Sequence, residues 1–490
     1  MLNYISFSDE ITVWWDKSEF PCRADGYLVD LNGRFFTSTA KTHFTAAGLS
    51  PDTEYEFLIK ALSGKAFVYE KRVIVSTKKA KRAINVALAP YNASGDGKTM
   101  NTKAIQKAID DCTENDYVYI PQGVFLTGAL NLKSDLEIYV AENAVVKGSA
   151  LPQDYLPMKR SRFEGTERDC YRSLLNFGEM DHKKGCTSKN LVIRGAGSIL
   201  GGGRELLDAV MESGGAVYDE NGPVTAKDGV VWRSRGRLIE VCNAENVVIS
   251  GLTLGMSPSW NLHFIYSENI VTCNCTIKSQ GINNGDGWDP DSCKNCAVFN
   301  CDFFTGDDMI AIKSGKNPEG NVIARPCENI YIFDCRSHGG HGMSVGSEMS
   351  GGVRGVFVWD CDFCKCWYGF QIKATKKRGG YVKDVFVSDS KLSCVLIWSV
   401  GYNDDGAGDS EVPVFDNFNF DGNSITGTDY FVRVKTSPYV RYVYIEGFGK
   451  DNPVTNVCFN KTDLFIGDNN AVGFETKYVS DLKTEEVKYH

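Results

Sequence analysis

The chain has 490 residues, of which 42% are hydrophobic and 23% charged, and a net charge of −9. That acidic balance excludes non-specific nucleic-acid binding, and any anionic ligand must be held by a local basic patch. No apolar run reaches the length of a membrane span, the first ten residues carry no secretory signal, and the 17 cysteines are an odd number. The expectation is a cytoplasmic protein without a fully paired disulfide framework, or a secreted one if a leader has been removed.

Residues 1–78 alternate short apolar stretches, such as Ile11–Trp15 and Phe67–Val75, with polar turns, which reads as strands. The run Leu49-Ser-Pro-Asp-Thr-Glu-Tyr55 resembles the corner of fibronectin type III modules, where a tyrosine hydroxyl bonds back to the backbone. A small β-sandwich is expected here. The basic linker Lys78–Arg82 leads into a second domain over 84–490. That domain opens with an amphipathic helix near Asn101–Cys112, with Asn101 as its N-cap. An apolar helix suits the open end of a solenoid, which must shield its core.

The rest of the chain repeats. Asn190, Asn246, Asn269, Asn295, Asn329, Gly355 and Asp384 each open a short aliphatic alternation. The starts from Asn246 onward lie 23 to 34 residues apart, too close for full βαβ units. Six positions on stand Ala196, Leu252, Cys275, Cys301, Cys335, Cys361 and Ser390. Such a column is what a parallel β-helix produces, with the asparagines laddered at a turn, each side chain bonding the next coil's backbone. The four cysteines then read as a buried stack of small apolar residues rather than metal ligands.

Four polar clusters interrupt the repeat: Asn284-Gly-Asp286-Gly-Trp-Asp-Pro-Asp291, Gly306-Asp307-Asp308, Gly340-His341-Gly342 and Gln371-Ile-Lys373. Asp286, Asp308 and His341 each lie four residues before Pro290, Ile312 and Val345, so the three are expected to stack at about 4.8 Å per coil. Carboxylates crowded in this way repel, so one is kept protonated as a general acid while another activates water.

In this order the clusters resemble the signature of the polygalacturonase family, glycoside hydrolase family 28: Asn-Thr-Asp, Gly-Asp-Asp, Gly-His-Gly and Arg-Ile-Lys. The resemblance implies a right-handed parallel β-helix in an all-β protein and a hydrolase of α-linked galacturonides, acting with inversion. It assigns the general acid to Asp307, water activation to Asp286 and Asp308, and support of the acid to His341. Asn284, Lys373 and Tyr402 would meet the substrate, and no metal or cofactor is called for. The flanking runs Ser257–Trp260, Gly346–Gly352 and Arg378–Tyr381 look like bacterial exo-acting members. Insertions at 151–186 and 203–235 would wall off one end of a cleft.

One departure stands out. The family arginine is Gln371 here, a neutral amide in place of a carboxylate clamp. The leaving-group sugar is then open to being rhamnose or another substituted unit, with Arg378 or Lys376 as a replacement cation. The expected partner is a pectic oligosaccharide, with no nucleic acid and no membrane. A stack of about 4.8 Å does not by itself predict inversion, since that separation is nearer the one given for retaining enzymes. Competing readings are a β-helical pectate lyase using Ca²⁺ and a non-catalytic β-helix such as an adhesin or tailspike.

Overall fold

The computed structural model describes all residues except 1, 21–23, 65, 214–216, 220–221, 226–231, 402–405, 410 and 468–471. The chain divides into two compact units. The first is Met1–Ala83 with Asn115–Tyr117, and the second is Ile84–Glu114 with Val118–His490.

The first unit contains two antiparallel sheets. Asn3–Ser6, Glu10–Trp14 and His43–Ala47 form one; Gly26–Leu31, Arg34–Thr39, Glu54–Ser63 and Ala66–Ser76 form the other. Their alternate residues make an aromatic core in which Trp15 meets Tyr27 edge-on at 4.9 Å, with Ile11, Val29 and Phe57 fully buried. The corner is pinned as expected: the Ser50 backbone N–H donates to the Tyr55 hydroxyl at 2.9 Å.

The second unit is a right-handed parallel β-helix. Among the described residues, two of its sheets have thirteen strands and the third has eleven. Asn190, Asn246, Asn269, Asn295 and Asn329 all hold φ between 55° and 60°, a conformation that asparagine tolerates better than most residues. Each of the last four donates its amide to the asparagine oxygen one coil earlier, at 3.0–3.4 Å. The ladder thus runs side chain to side chain rather than to the next coil's backbone. Identical backbone turns place identical amides one coil apart, where donor faces acceptor.

The cysteine column is present inside the coil. Cys275, Cys301, Cys335 and Cys361 are buried, unbridged thiols, and the Ser390 hydroxyl accepts the Cys361 N–H at 3.1 Å. Ala196 departs from the column, being exposed, so the buried stack begins at Leu252. The capping helix spans Thr102–Asp111 and buries Ile105, Ala108 and Ile109 in the coil's core. Asn101 makes no side-chain cap bond. Its amide instead ties the preceding loop, through Ser94 and the Thr99 carbonyl at 2.7–2.9 Å.

The eleven-stranded sheet carries the candidate site. Its relevant strands are β1 (Ile239–Cys242), β2 (Leu262–Ile265), β3 (Trp288–Asp291), β4 (Asp308–Ile312), β5 (Gly342–Val345), β6 (Phe370–Ala374) and β7 (Val395–Ser399). Trp288, Ile310, Met343 and Phe370 point into the coil, so their neighbours Asp289, Ser344 and Gln371 point outward. These outward polar residues are buried nonetheless.

An insertion covers the earlier strands of this face. An antiparallel hairpin, Lys159–Phe163 with Thr166–Cys170, lies within the segment expected as an insertion. Arg162 pairs with Asp291 at 3.0 Å, both side chains fully buried, and Phe163 stacks on Trp260 at 4.8 Å. Two glycines permit this contact. At Gly315 (φ +81°) a Cβ would lie 1.8 Å from the Arg162 guanidinium, and at Gly165 (φ +75°) one would lie 2.6 Å from the Lys316 nitrogen.

Candidate active site

Asp286 and Asp308 lie opposite each other on successive coils. Trp288 pairs with Ile310 and Asp291 with Lys313, and the Gly287 N–H donates to the Asp308 carbonyl at 3.0 Å. His341 does not continue this register. Asp308 pairs with Gly342 and Ile310 with Met343, so Met309 is an extra residue in β4. The bulge sets His341 against Asp307: its N–H donates to the Asp307 carbonyl at 3.1 Å, and Nδ1 stands 2.7 Å from Asp307 Oδ1. Its distance to Asp308 Oδ1 is 3.7 Å. The expected three-residue stack is therefore a two-residue stack with an Asp307–His341 pair beside it.

The surroundings divide the carboxyls by charge state. Burial pushes Asp308 up, but the Lys373 ammonium at 3.0 Å and His341 overcome it and hold Asp308 far below the usual carboxylate range. The Ser344 hydroxyl also donates to Asp308, at 2.7 Å. Burial likewise raises Asp307, yet the His341 hydrogen bond and charge bring it below its ordinary value. Asp286 goes the other way, raised well above 3.8 by burial and then by the charges of Asp289, Asp307 and Asp308, against the pull of Lys313. Asp289 is raised to about 7 by burial. The carboxyls raised in the free site are thus Asp286 and Asp289, not Asp307 as expected. Asp307 is an anion here because a histidinium sits in contact with it.

His341 shows the reciprocal effect. Burial lowers its pKa, but Asp307 and Asp308 raise it to about 9 from an ordinary 6.5. A histidine whose folded pKa is raised contributes stability that is complete below the unfolded pKa and lost as pH rises through the folded one. The difference in thermal stability between wild type and His341→Gln should therefore be largest below pH 6.5 and disappear above about 9. A difference that grew with pH would mean His341 is neutral in the fold.

Other expected residues fall into place or out of it. Asn284 borders the cluster, its amide oxygen accepting from Arg235 at 2.7 Å. Lys373 pairs with Asp308 at 3.0 Å. Gln371 is buried, donating to Ser344 at 2.8 Å and lying 3.5 Å from Asp308, so it supports Asp308 from within the sheet face. Arg378 is no substitute cation. It is buried against Asn317 and the Ser347 carbonyl, which it needs because a guanidinium without partners is costly to bury. Lys376 is exposed, and Tyr402 lies outside the described residues.

Sequence reasoning missed the cation at the centre. The Lys313 ammonium, nearly buried, lies 3.4 Å from Asp286, 3.6 Å from Asp289 and 3.7 Å from Glu348, above the Trp260 ring at 4.7 Å. A lysine at the end of a buried strand, five residues after the aspartate pair, was the available signal. Arg235 and Arg237, both fully buried, stack on Phe163 and bring further positive charge to this side of the site. Asp307, Asp308 and His341 have ligand atoms close enough to hold a metal ion. Lys373 and a protonated His341 already place two cations against those carboxylates.

This geometry has counterparts in known proteins. The sequence model of glycosyl hydrolases family 28 matches residues 183–400, spanning all four polar clusters. A second model, described as rhamnogalacturonase A/epimerase, pectate lyase-like, matches residues 83–150. An endo-polygalacturonase of Pectobacterium parmentieri is 30% identical over 301 residues, which cover 59% of this chain and 68% of that relative. The chain belongs to glycosyl hydrolase family 28. An exo-poly-alpha-D-galacturonosidase of Dickeya chrysanthemi is 29% identical over 70% of this chain and 61% of that protein. The fold agrees with that of a family 28 exopolygalacturonase from Yersinia enterocolitica, with a TM-score of 0.77 at 21% identity over 99% of this chain and 98% of that one. In this family 28 glycoside hydrolase the four clusters lie on adjoining coils of one sheet face, whereas Arg378 belongs to the scaffold around them.

Proposed function

We propose that this glycoside hydrolase cleaves α-linked galacturonides of pectic oligosaccharides from one chain end, by single displacement with inversion. The observation that carries the reading is the division of charge in the cluster. Asp308 stays ionised against Lys373, and Asp307 shares a proton with His341. Asp308, with Asp286 opposite, activates the water that attacks the anomeric carbon. Asp307 gives a proton to the glycosidic oxygen and is resupplied by His341. An arriving galacturonate carboxylate adds negative charge beside Asp307, which raises its pKa toward the protonated form.

Two features support action at a chain end. The Lys159–Cys170 hairpin is fixed to β3 by the Arg162–Asp291 pair, and Arg235 reaches Asn284 at the border of the cluster. Both close the face over the strands preceding the aspartates. The relative named for exo action adds to this.

A second reading concerns the sugar released. Gln371 faces Ser344 and Asp308, Arg378 is internal, and partly exposed Trp367 stands 5.1 Å from the His341 ring. A neutral or substituted sugar on that side would meet an aromatic ring rather than a guanidinium.

Digestion of defined oligogalacturonides should release monomer or dimer from the first time points, as the inverted anomer, with no ultraviolet-absorbing unsaturated product. EDTA should leave the rate unchanged. Mixed oligomers at early times would exclude end-directed action. Chelator loss reversed by Ca²⁺, with an unsaturated product, would indicate a lyase. Parallel assays on a rhamnose-containing disaccharide decide the released sugar.

A further inference from the structure

Asp289 carries a charge problem that the mechanism above leaves unused. It follows Asp286 by three residues, and both side chains converge on the Lys313 ammonium, at 3.4 and 3.6 Å. It is fully buried, and neither of its carboxylate oxygens has a hydrogen-bond partner; Asp286 Oδ1 also has none. The charged and titratable groups acting on it are His263, its register partner in β2, Arg237 just before β1, Asp286 just before β3, and Lys313 and Asp308 on the following coil.

Asp286, Asp289 and Glu348 all converge on the single ammonium of Lys313, at 3.4, 3.6 and 3.7 Å. Burial raises Glu348, but Lys313 and Arg378 outweigh it and keep Glu348 ionised. One lysine cannot also neutralise two further buried carboxylates, because each uncompensated buried charge is expensive. The remaining pair must therefore retain a proton. His263 does not compensate, since burial lowers its pKa to about 4 and leaves it neutral.

We infer that Asp289 is a positioning residue that shares one retained proton with Asp286, so that the pair presents a single negative charge beside the attacking water. This rests on the hydrolase reading and deepens it. Asp289 touches no reacting atom. It acts by sharing the proton with Asp286 and by fixing Lys313 between them. Loss of the shared proton adds a negative charge beside an anionic substrate and weakens its binding. No covalent bond changes at Asp289: the proton is exchanged between two carboxyls, and none is consumed in turnover.

The test compares wild type with Asp289→Asn, whose amide fills the same space but cannot share the proton. Infrared difference spectra of the free proteins read it without activity. Wild type should keep a protonated-carboxyl band above the ordinary carboxylate range, lost near pH 7, whereas Asp289→Asn should lose that band at lower pH. In kinetics on an oligogalacturonide, wild-type kcat/KM should fall about 10-fold per pH unit above 7, mainly through KM, and more steeply above 9. The variant should keep only the second fall, so that near pH 8 it retains about 10-fold more of its own maximum than wild type does. A band unchanged by the substitution, or absent from wild type, overturns the inference. So does a uniformly lower rate with the wild-type pH profile, which is what a packing defect would give. A wild type inactive on every pectic substrate would instead reject the hydrolase reading, while the infrared comparison would still decide the proton sharing.

Discussion

Asp307→Asn should lower kcat by roughly 10²–10⁴-fold, the range that a positioned acid contributes. The change is nearly isosteric. His341 Nδ1, 2.7 Å from Asp307 Oδ1, can still donate to the amide oxygen, so the bulge at Met309 and the pairing of β4 with β5 need not move. Two things are lost together: the group that reaches the glycosidic oxygen, and the negative charge that keeps His341 protonated near neutral pH. The variant should therefore also show a lower His341 pKa, visible by NMR titration of the ring. Circular dichroism and melting temperature should stay near wild type. A well-folded variant with near-wild-type turnover would remove Asp307 from the mechanism.

Breaking the Arg162–Asp291 pair should give the largest structural effect. Both side chains are fully buried, and Arg162 also donates to Ser292 at 3.0 Å. Arg162→Met leaves Asp291 charged in the interior. His263, 3.5 Å away, would have to take up a proton to compensate. Removing one partner of a buried pair costs about 3–5 kcal/mol, mostly from the stranded charge. The cost falls on the hairpin Lys159–Cys170, which should become open to limited proteolysis, with kcat/KM falling as the covered end of the site opens. Arg162→Met combined with Asp291→Asn removes both charges and should recover much of the lost stability. If the single variant melts like wild type and its hairpin resists protease, the pair is not what holds the hairpin down.

Much was present in the sequence because a coil's repeat is a local property. The asparagine starts and the cysteine column could be aligned because each coil repeats one backbone path, so equivalent residues recur at similar intervals. The same logic put Asp286 and Asp308 on adjacent coils. It failed at His341, where one extra residue in β4 shifts the pairing. A bulge changes register without any marker in composition, so counting residues could not reveal it. Asn101 also lay at the helix start as expected, but its amide found better partners in the Ser94 loop than in the helix.

The sequence alone determined the architecture and the identity of the carboxylates, because strand alternation and coil spacing are encoded within a few tens of residues. The charge state of those carboxylates was decided only by the tertiary structure. Arg162 lies 129 positions from Asp291, and Lys373 lies 65 from Asp308. Lys313, one coil on, answers to Asp286, Asp289 and Glu348 together. A pKa depends on burial and on every charge within a few ångströms, and neither is a property of neighbouring letters in the chain. For the same reason Arg378, which read as a free cation, is a scaffold residue, and Asp307, which read as the protonated acid, is ionised against His341.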